Sequence, residues 1–135
     1  MNLIRDAVLD WEGDLRFRGS APGKPAILMD GNAVAGPSPV VTLLLAGASC
    51  AASDVVLILE KMRTPLESLR VLAHGIRREK EPRRFEKIHY VFEMKGTGVD
   101  RTKAERAVSL SVEKYCSVLA SLAPDIVVTH EIRIL

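Results

Sequence analysis

The amino-acid sequence predicts an α+β fold with the element order βββ-α-ββ-α-β, in which antiparallel sheets surround one long buried helix. Three observations carry this reading. Short segments in the first 30 residues alternate apolar with polar side chains; residues 40–59 form a nearly unbroken apolar run too long for a strand; and a hairpin with a charged tip is followed by an amphipathic helix and a closing alternating strand.

The 135 residues fit a single domain, 1–135, divided into an N-terminal β meander over 1–37 and a larger remainder over 38–135. A hydrophobic fraction of 47% argues against a disordered chain, and a net charge of +2 gives no electrostatic case for nucleic acid. The opening MNLIRDAVLDWEGD carries acids early and shows no secretory pattern, so the expected compartment is the cytoplasm. There a disulfide between Cys50 and Cys116 would be catalytic or redox-sensing rather than structural.

In the meander, residues 4–11 alternate in strand fashion, Gly13 and Asp14 make a turn, Leu15 and Phe17 alternate with Arg16 and Arg18, and residues 26–29 form a third strand ended by Asp30-Gly31-Asn32. Ser38 is then placed to cap a helix whose first residue is Pro39, where the missing N–H costs nothing. From 40 to 59 only Thr42, Ser49, Ser53 and Asp54 are polar, so this helix is buried or spans a membrane. Asp54 would cost roughly 2.5 to 3.5 kcal/mol near a bilayer centre, and the small residues 46–52 offer little to offset it, so no membrane is expected.

A strand over 69–78 pairs with a second over 85–95, in which Ile88, Tyr90, Phe92 and Met94 share one face. Asp100 caps a second helix running to Leu122, with Ala104, Val108, Val112, Tyr115, Leu119 and Leu122 on its apolar face and Cys116 bordering it. Ala123-Pro124 stops that helix, and 126–134 alternate as the last strand, with His130 on the apolar side as a hydrogen-bonded core residue. The tip RREKEPRRFEK mixes signs and reads as a solvated turn rather than a nucleic-acid surface.

The chemistry-bearing candidates are Cys50 and Cys116. Their positions in separate helices fit neither a CxxC motif nor zinc-ligand spacing, so no metal or cofactor is expected. Two readings stay open at this point: buried thiols that pack as small hydrophobes, or a dithiol pair in which one thiolate attacks and the second thiol resolves. Asp54, one turn after Cys50, opposes thiolate formation unless it points away or meets a cation, and Arg16 or Arg18 could supply a positive neighbour.

The stretches GPSPVVTLLLAGASCAASDVV, EPRRFEKIHYVF and SVEKYCSVLASL together resemble the OsmC/Ohr family of osmotically inducible and organic-hydroperoxide-resistance proteins, with LMDGN and SVEKYCSV similar to its YhfA-like branch. The resemblance implies an intertwined α+β homodimer with the long helices at its centre and the cysteines near the dimer interface. It further implies Cys50 as the peroxide-attacking thiol, Cys116 as the resolving thiol, a small organic hydroperoxide as substrate and a thiol reductant as second partner. An alternative is a non-enzymatic dimer that binds a small hydrophobic ligand. It is favoured by Val40 and Val41, which stand where the family commonly carries a glutamate.

Overall fold

The computed structural model describes residues 1–135, which divide into two compact units, Met1–Leu43 and Leu44–Leu135. The first unit holds a three-stranded antiparallel sheet of β1 (Val8–Trp11), β2 (Arg16–Ser20) and β3 (Ile27–Asp30), in that order. Trp11 pairs with Phe17 beside the turn, where Gly13 and Asp14 take positive φ of 99° and 47°. Glycine has no steric cost in that conformation and aspartate tolerates it better than most residues. β1 is shorter than the alternation from Ile4 suggests, beginning only at Val8.

Asp30 closes this sheet and organises the loop that leads into the long helix. Its carboxylate is buried and accepts backbone N–H groups from Asn32 at 2.9 Å, Ala35 at 3.0 Å and Val34 at 3.4 Å. Ser38 then caps α1 (Pro39–Lys61): its Oγ accepts from Val41 N at 3.4 Å and its carbonyl from Thr42 N at 2.8 Å. Pro39 stands first in the helix, as its fixed φ favours.

The second unit is built on the rest of α1. Leu44, Gly47, Ala48, Ala51, Val55 and Leu59 recur at three- and four-residue steps and form its buried face, while Leu45 and Leu57 stay half exposed, at 50% and 55%. The second sheet has the order β4-β5-β6, from β4 (Ser68–Arg77), β5 (Phe85–Lys95) and β6 (Val127–Ile134). Ile88, Tyr90, Phe92 and Met94 are each at most 1% exposed, and burying each aliphatic or aromatic side chain of this kind contributes roughly 1.5 to 3 kcal/mol. At Gly75 on β4 a Cβ would collide with the Phe85 ring, so glycine is what lets the two strands carry that aromatic.

Two expectations are corrected here. β4 and β5 form the antiparallel hairpin, but β6 lies parallel to β5, so this sheet is mixed. The cause is the helix between β5 and β6, which carries the chain back to the end where β5 began. The second helix also does not run unbroken to Leu122. It comprises α2 (Arg101–Leu110), a π-helical turn over Ser111–Tyr115, and a short α3 (Ser117–Ala120), with Cys116 extended between them at φ −70°, ψ 103°.

Candidate functional site

α2 begins as its sequence demands, with the Asp100 carboxylate accepting from Lys103 N at 2.8 Å. Its buried face is Ala104, Ala107, Val108 and Ser111. Regular spacing would place Tyr115 next, but the π turn inserts one residue and advances the register. Tyr115 is 51% exposed, and Cys116 is buried in its place at 3%. The amide of Cys116 donates to the Ser111 carbonyl at 2.8 Å, five residues back, which closes the π turn.

This displacement brings the two cysteines together. Both are free thiols; Cys50, on α1, is half-buried and Cys116 buried, and Cys50 is near enough to Cys116 to raise its thiol. Burial pushes the Cys116 thiol up to about 11. The Leu119 amide, donating to Cys116 Sγ at 3.5 Å, favours the thiolate and is outweighed, while Cys50 adds to the rise through its hydrogen bond and its charge. Cys116 is therefore a protonated thiol at neutral pH, and Cys50 is the more accessible of the pair.

Three residues that the sequence does not single out as site residues complete the surroundings. Tyr90 reaches from β5 to donate its hydroxyl to the Leu44 carbonyl on α1 at 3.1 Å, and burial, followed by the charge of Cys116, pushes its phenol up to about 12. Gly47 makes room for it: a Cβ there would collide with the Tyr90 hydroxyl and come within 3.1 Å of Leu119 Cδ2. Ser111, fully buried, sets its Oγ 2.8 Å from Asp54 Oδ2 and 3.2 Å from the Ala51 carbonyl. The signal for Ser111 was available in the sequence, since it lies three and four residues beyond Val108 and Ala107.

Asp54, expected to oppose a Cys50 thiolate, is thus held by the Ser111 hydroxyl. It also lines a pocket of about 500 Å³ with Leu57, Ile58, Arg106, Leu110 and Tyr115. The proposed cations have carboxylate partners of their own within the first unit: Arg16 pairs with Asp14 at 3.3 Å and Arg18 with Glu12 at 2.8 Å. Two of the three histidines are engaged elsewhere, His89 Nδ1 with Thr129 Oγ1 at 2.7 Å and His130 Nε2 with Glu105 Oε2 at 3.4 Å. His130 is thus hydrogen-bonded as expected, but with its side chain 22% exposed it lies at the edge of the core rather than in it.

A family profile described as OsmC-like protein matches residues 30–131, from the end of β3 into β6. The chain belongs to the OsmC-like family. This OsmC-like chain is 38% identical over 129 residues to protein YhfA of Escherichia coli K12, covering 95% of this chain and 96% of that protein. Among solved structures it is similar to a hypothetical protein from Aquifex aeolicus VF5, with a TM-score of 0.87 and 30% identity, covering 98% of this chain and 96% of that one. It also shares its fold with the organic hydroperoxide resistance protein OhrB of Bacillus subtilis, with a TM-score of 0.63 at 14% identity, covering 97% and 98% of the two chains.

Proposed function

We propose that this OsmC-like protein is a cytoplasmic, homodimeric thiol peroxidase that reduces small organic hydroperoxides. The observation that supports this most is the adjacency of an accessible Cys50 and a buried Cys116 held protonated. Cys50 thiolate attacks the terminal oxygen of the hydroperoxide, the O–O bond breaks, Cys50 becomes a sulfenic acid, and the departing alkoxide takes up the proton that the Cys50 thiol gave to solvent and leaves as an alcohol. The Cys116 sulfur then displaces water, its proton leaving with the sulfenic oxygen, to give a Cys50–Cys116 disulfide. An external dithiol reduces this bond and returns both thiols. No metal or organic cofactor enters the cycle.

The test is loss of an organic hydroperoxide measured against protein concentration. The wild type is expected to consume peroxide and form the intramolecular disulfide. Cys116→Ser should accumulate sulfenic acid, trapped with a dimedone-type reagent, and Cys50→Ala should leave the peroxide untouched. Wild-type protein that consumes none overturns the reading.

A second reading, a non-enzymatic dimer that binds a small hydrophobic ligand, is favoured by the pocket beside Asp54, whose walls include Leu57, Ile58, Met62 and Leu110. It predicts saturable binding of an apolar fluorescent probe that is weakened by Leu110→Glu and unchanged when both cysteines are replaced.

A further inference from the structure

Ser111 has no evident packing reason to carry a hydroxyl. The position is fully buried in a helical segment, where alanine would fill nearly the same space and has the higher helix propensity. A buried hydroxyl is retained at no loss only when it is hydrogen-bonded, and this one has two acceptors, both on α1. It carries a single proton, so the Asp54 carboxylate at 2.8 Å takes the main share and the Ala51 carbonyl at 3.2 Å the rest.

The positions of these acceptors give the arrangement its meaning. Ala51 follows Cys50 directly, and Asp54 lies one turn beyond it. On the other side, the Ser111 carbonyl holds the Cys116 amide at 2.8 Å. A path of two hydrogen bonds and one residue therefore runs from the backbone beside Cys50, through Ser111, to the backbone of Cys116. The segment it crosses is a π turn followed by an extended residue, which lacks the regular ladder that fixes an α-helix.

We infer that Ser111 is a positioning residue: its hydroxyl, anchored by Asp54 on α1, fixes the π turn so that the Cys116 sulfur stands against Cys50. This rests on the proposal that the two cysteines form a disulfide in the working cycle. Ser111 touches neither substrate nor sulfur in that cycle and acts on the thiol pair through the main chain. A protein interior lined for close contact gives two thiols a high effective concentration only if both backbones are held, since a displacement of about 1 Å at the reacting atoms is costly.

The experiment measures the Cys50–Cys116 disulfide equilibrium of the full-length protein in glutathione redox buffers, quenched with acid and quantified by mass spectrometry. In this exchange the S–S bond of glutathione disulfide breaks as the Cys50–Cys116 bond forms, and the two thiol protons end on the two released glutathione thiols. Ser111→Ala is expected to lower the equilibrium constant about tenfold. The decisive pair is Asp54→Asn and Asp54→Ala. Both remove the charge near Cys50, but only asparagine keeps a carbonyl to accept from Ser111. Asn should stay within about twofold of wild type, and Ala should fall at least about fivefold. Thermal unfolding of the reduced proteins runs alongside, because a purely structural role would lower the unfolding temperature and leave the equilibrium constant of the folded pair unchanged. If Ser111→Ala fails to fold, the contrast at the half-buried Asp54 decides alone. Equal constants for the two Asp54 variants, or a wild-type constant in folded Ser111→Ala, overturn the inference. If the wild type itself forms no Cys50–Cys116 bond, the dithiol proposal falls and the inference with it.

Discussion

Cys116 Sγ accepts a hydrogen bond from the Leu119 amide at 3.5 Å, yet its thiol is pushed up to about 11 because burial outweighs that donor. A capping contact at the start of a four-residue helix is too small an electrostatic source to stabilise a buried thiolate.

Alkylation of the folded protein at neutral pH should therefore modify Cys50 well before Cys116, with the order read from a mass-spectrometric time course. Cys50→Ala should lower the Cys116 value, since Cys50 contributes to its rise. It should not bring it down to that of an exposed thiol, because burial remains. The pH dependence of Cys116 alkylation in this variant, with urea-unfolded protein as reference, measures the shift.

Stability should decline in alkali. Cys116 and Tyr90 both have folded values above their unfolded ones, about 11 against 9.0 and about 12 against 10.0, so each binds its proton more tightly in the folded chain. Their contribution is complete below about pH 9 and is lost as the pH rises towards 12. Asp30 behaves oppositely. The Ala35 amide, with those of Asn32 and Val34, holds its carboxyl below 3.8, so its contribution is present above that value and lost as the pH falls through the folded one. Urea midpoints across the pH range test both arms, and Cys116→Ala should flatten the alkaline one.

Gly47→Ala should destabilise the protein by roughly 1 to 3 kcal/mol through overpacking, despite the roughly 0.8 to 1 kcal/mol that alanine gains in helix propensity. The added Cβ meets the Tyr90 hydroxyl and Leu119, so Tyr90→Phe should relieve part of the loss. A double-mutant cycle by chemical denaturation should give a coupling of opposite sign to the single-mutant costs. Additive effects would show that the clash is absorbed elsewhere.

Much of this was legible in the sequence where a local rule decides the outcome. The Ser38-Pro39 start of α1, the Asp100 cap and the span 85–95 of β5 all follow from capping chemistry and period-two alternation, and the structure has them there. Tyr115 and Cys116 show where such rules stop. Periodicity assumes constant phase, so a continuous helix puts Tyr115 inward, and no proline or glycine marks the π turn that reverses the two. Ser111 escaped because a small polar residue within an amphipathic helix looks solvent-facing. Its spacing from Ala107 and Val108 puts it on the buried face, but the carboxylate that satisfies its hydroxyl lies on α1, far away in sequence. The parallel pairing of β6 is likewise a matter of where a crossover lands, which strand alternation does not encode.

The protein should self-associate into a homodimer at micromolar concentration, because Leu45 and Leu57 are half exposed on an otherwise apolar α1. Sedimentation equilibrium tests this. Leu45→Glu should weaken association at least about tenfold while far-ultraviolet circular dichroism stays unchanged.

The π turn also has a bearing on descent. One residue added to a regular α-helix rotates everything after it by about 100°, whereas a π turn takes up the extra residue locally and passes no rotation on. A gene with one codon fewer between Ser111 and Cys116 could therefore encode an unbroken α-helix that still turns its cysteine towards α1. The placement of the cysteine against α1 can thus survive the shortest in-frame insertion or deletion at this point. Two such lineages, aligned without a gap, would set the cysteine of one against Tyr115 of the other and hide a thiol that both retain.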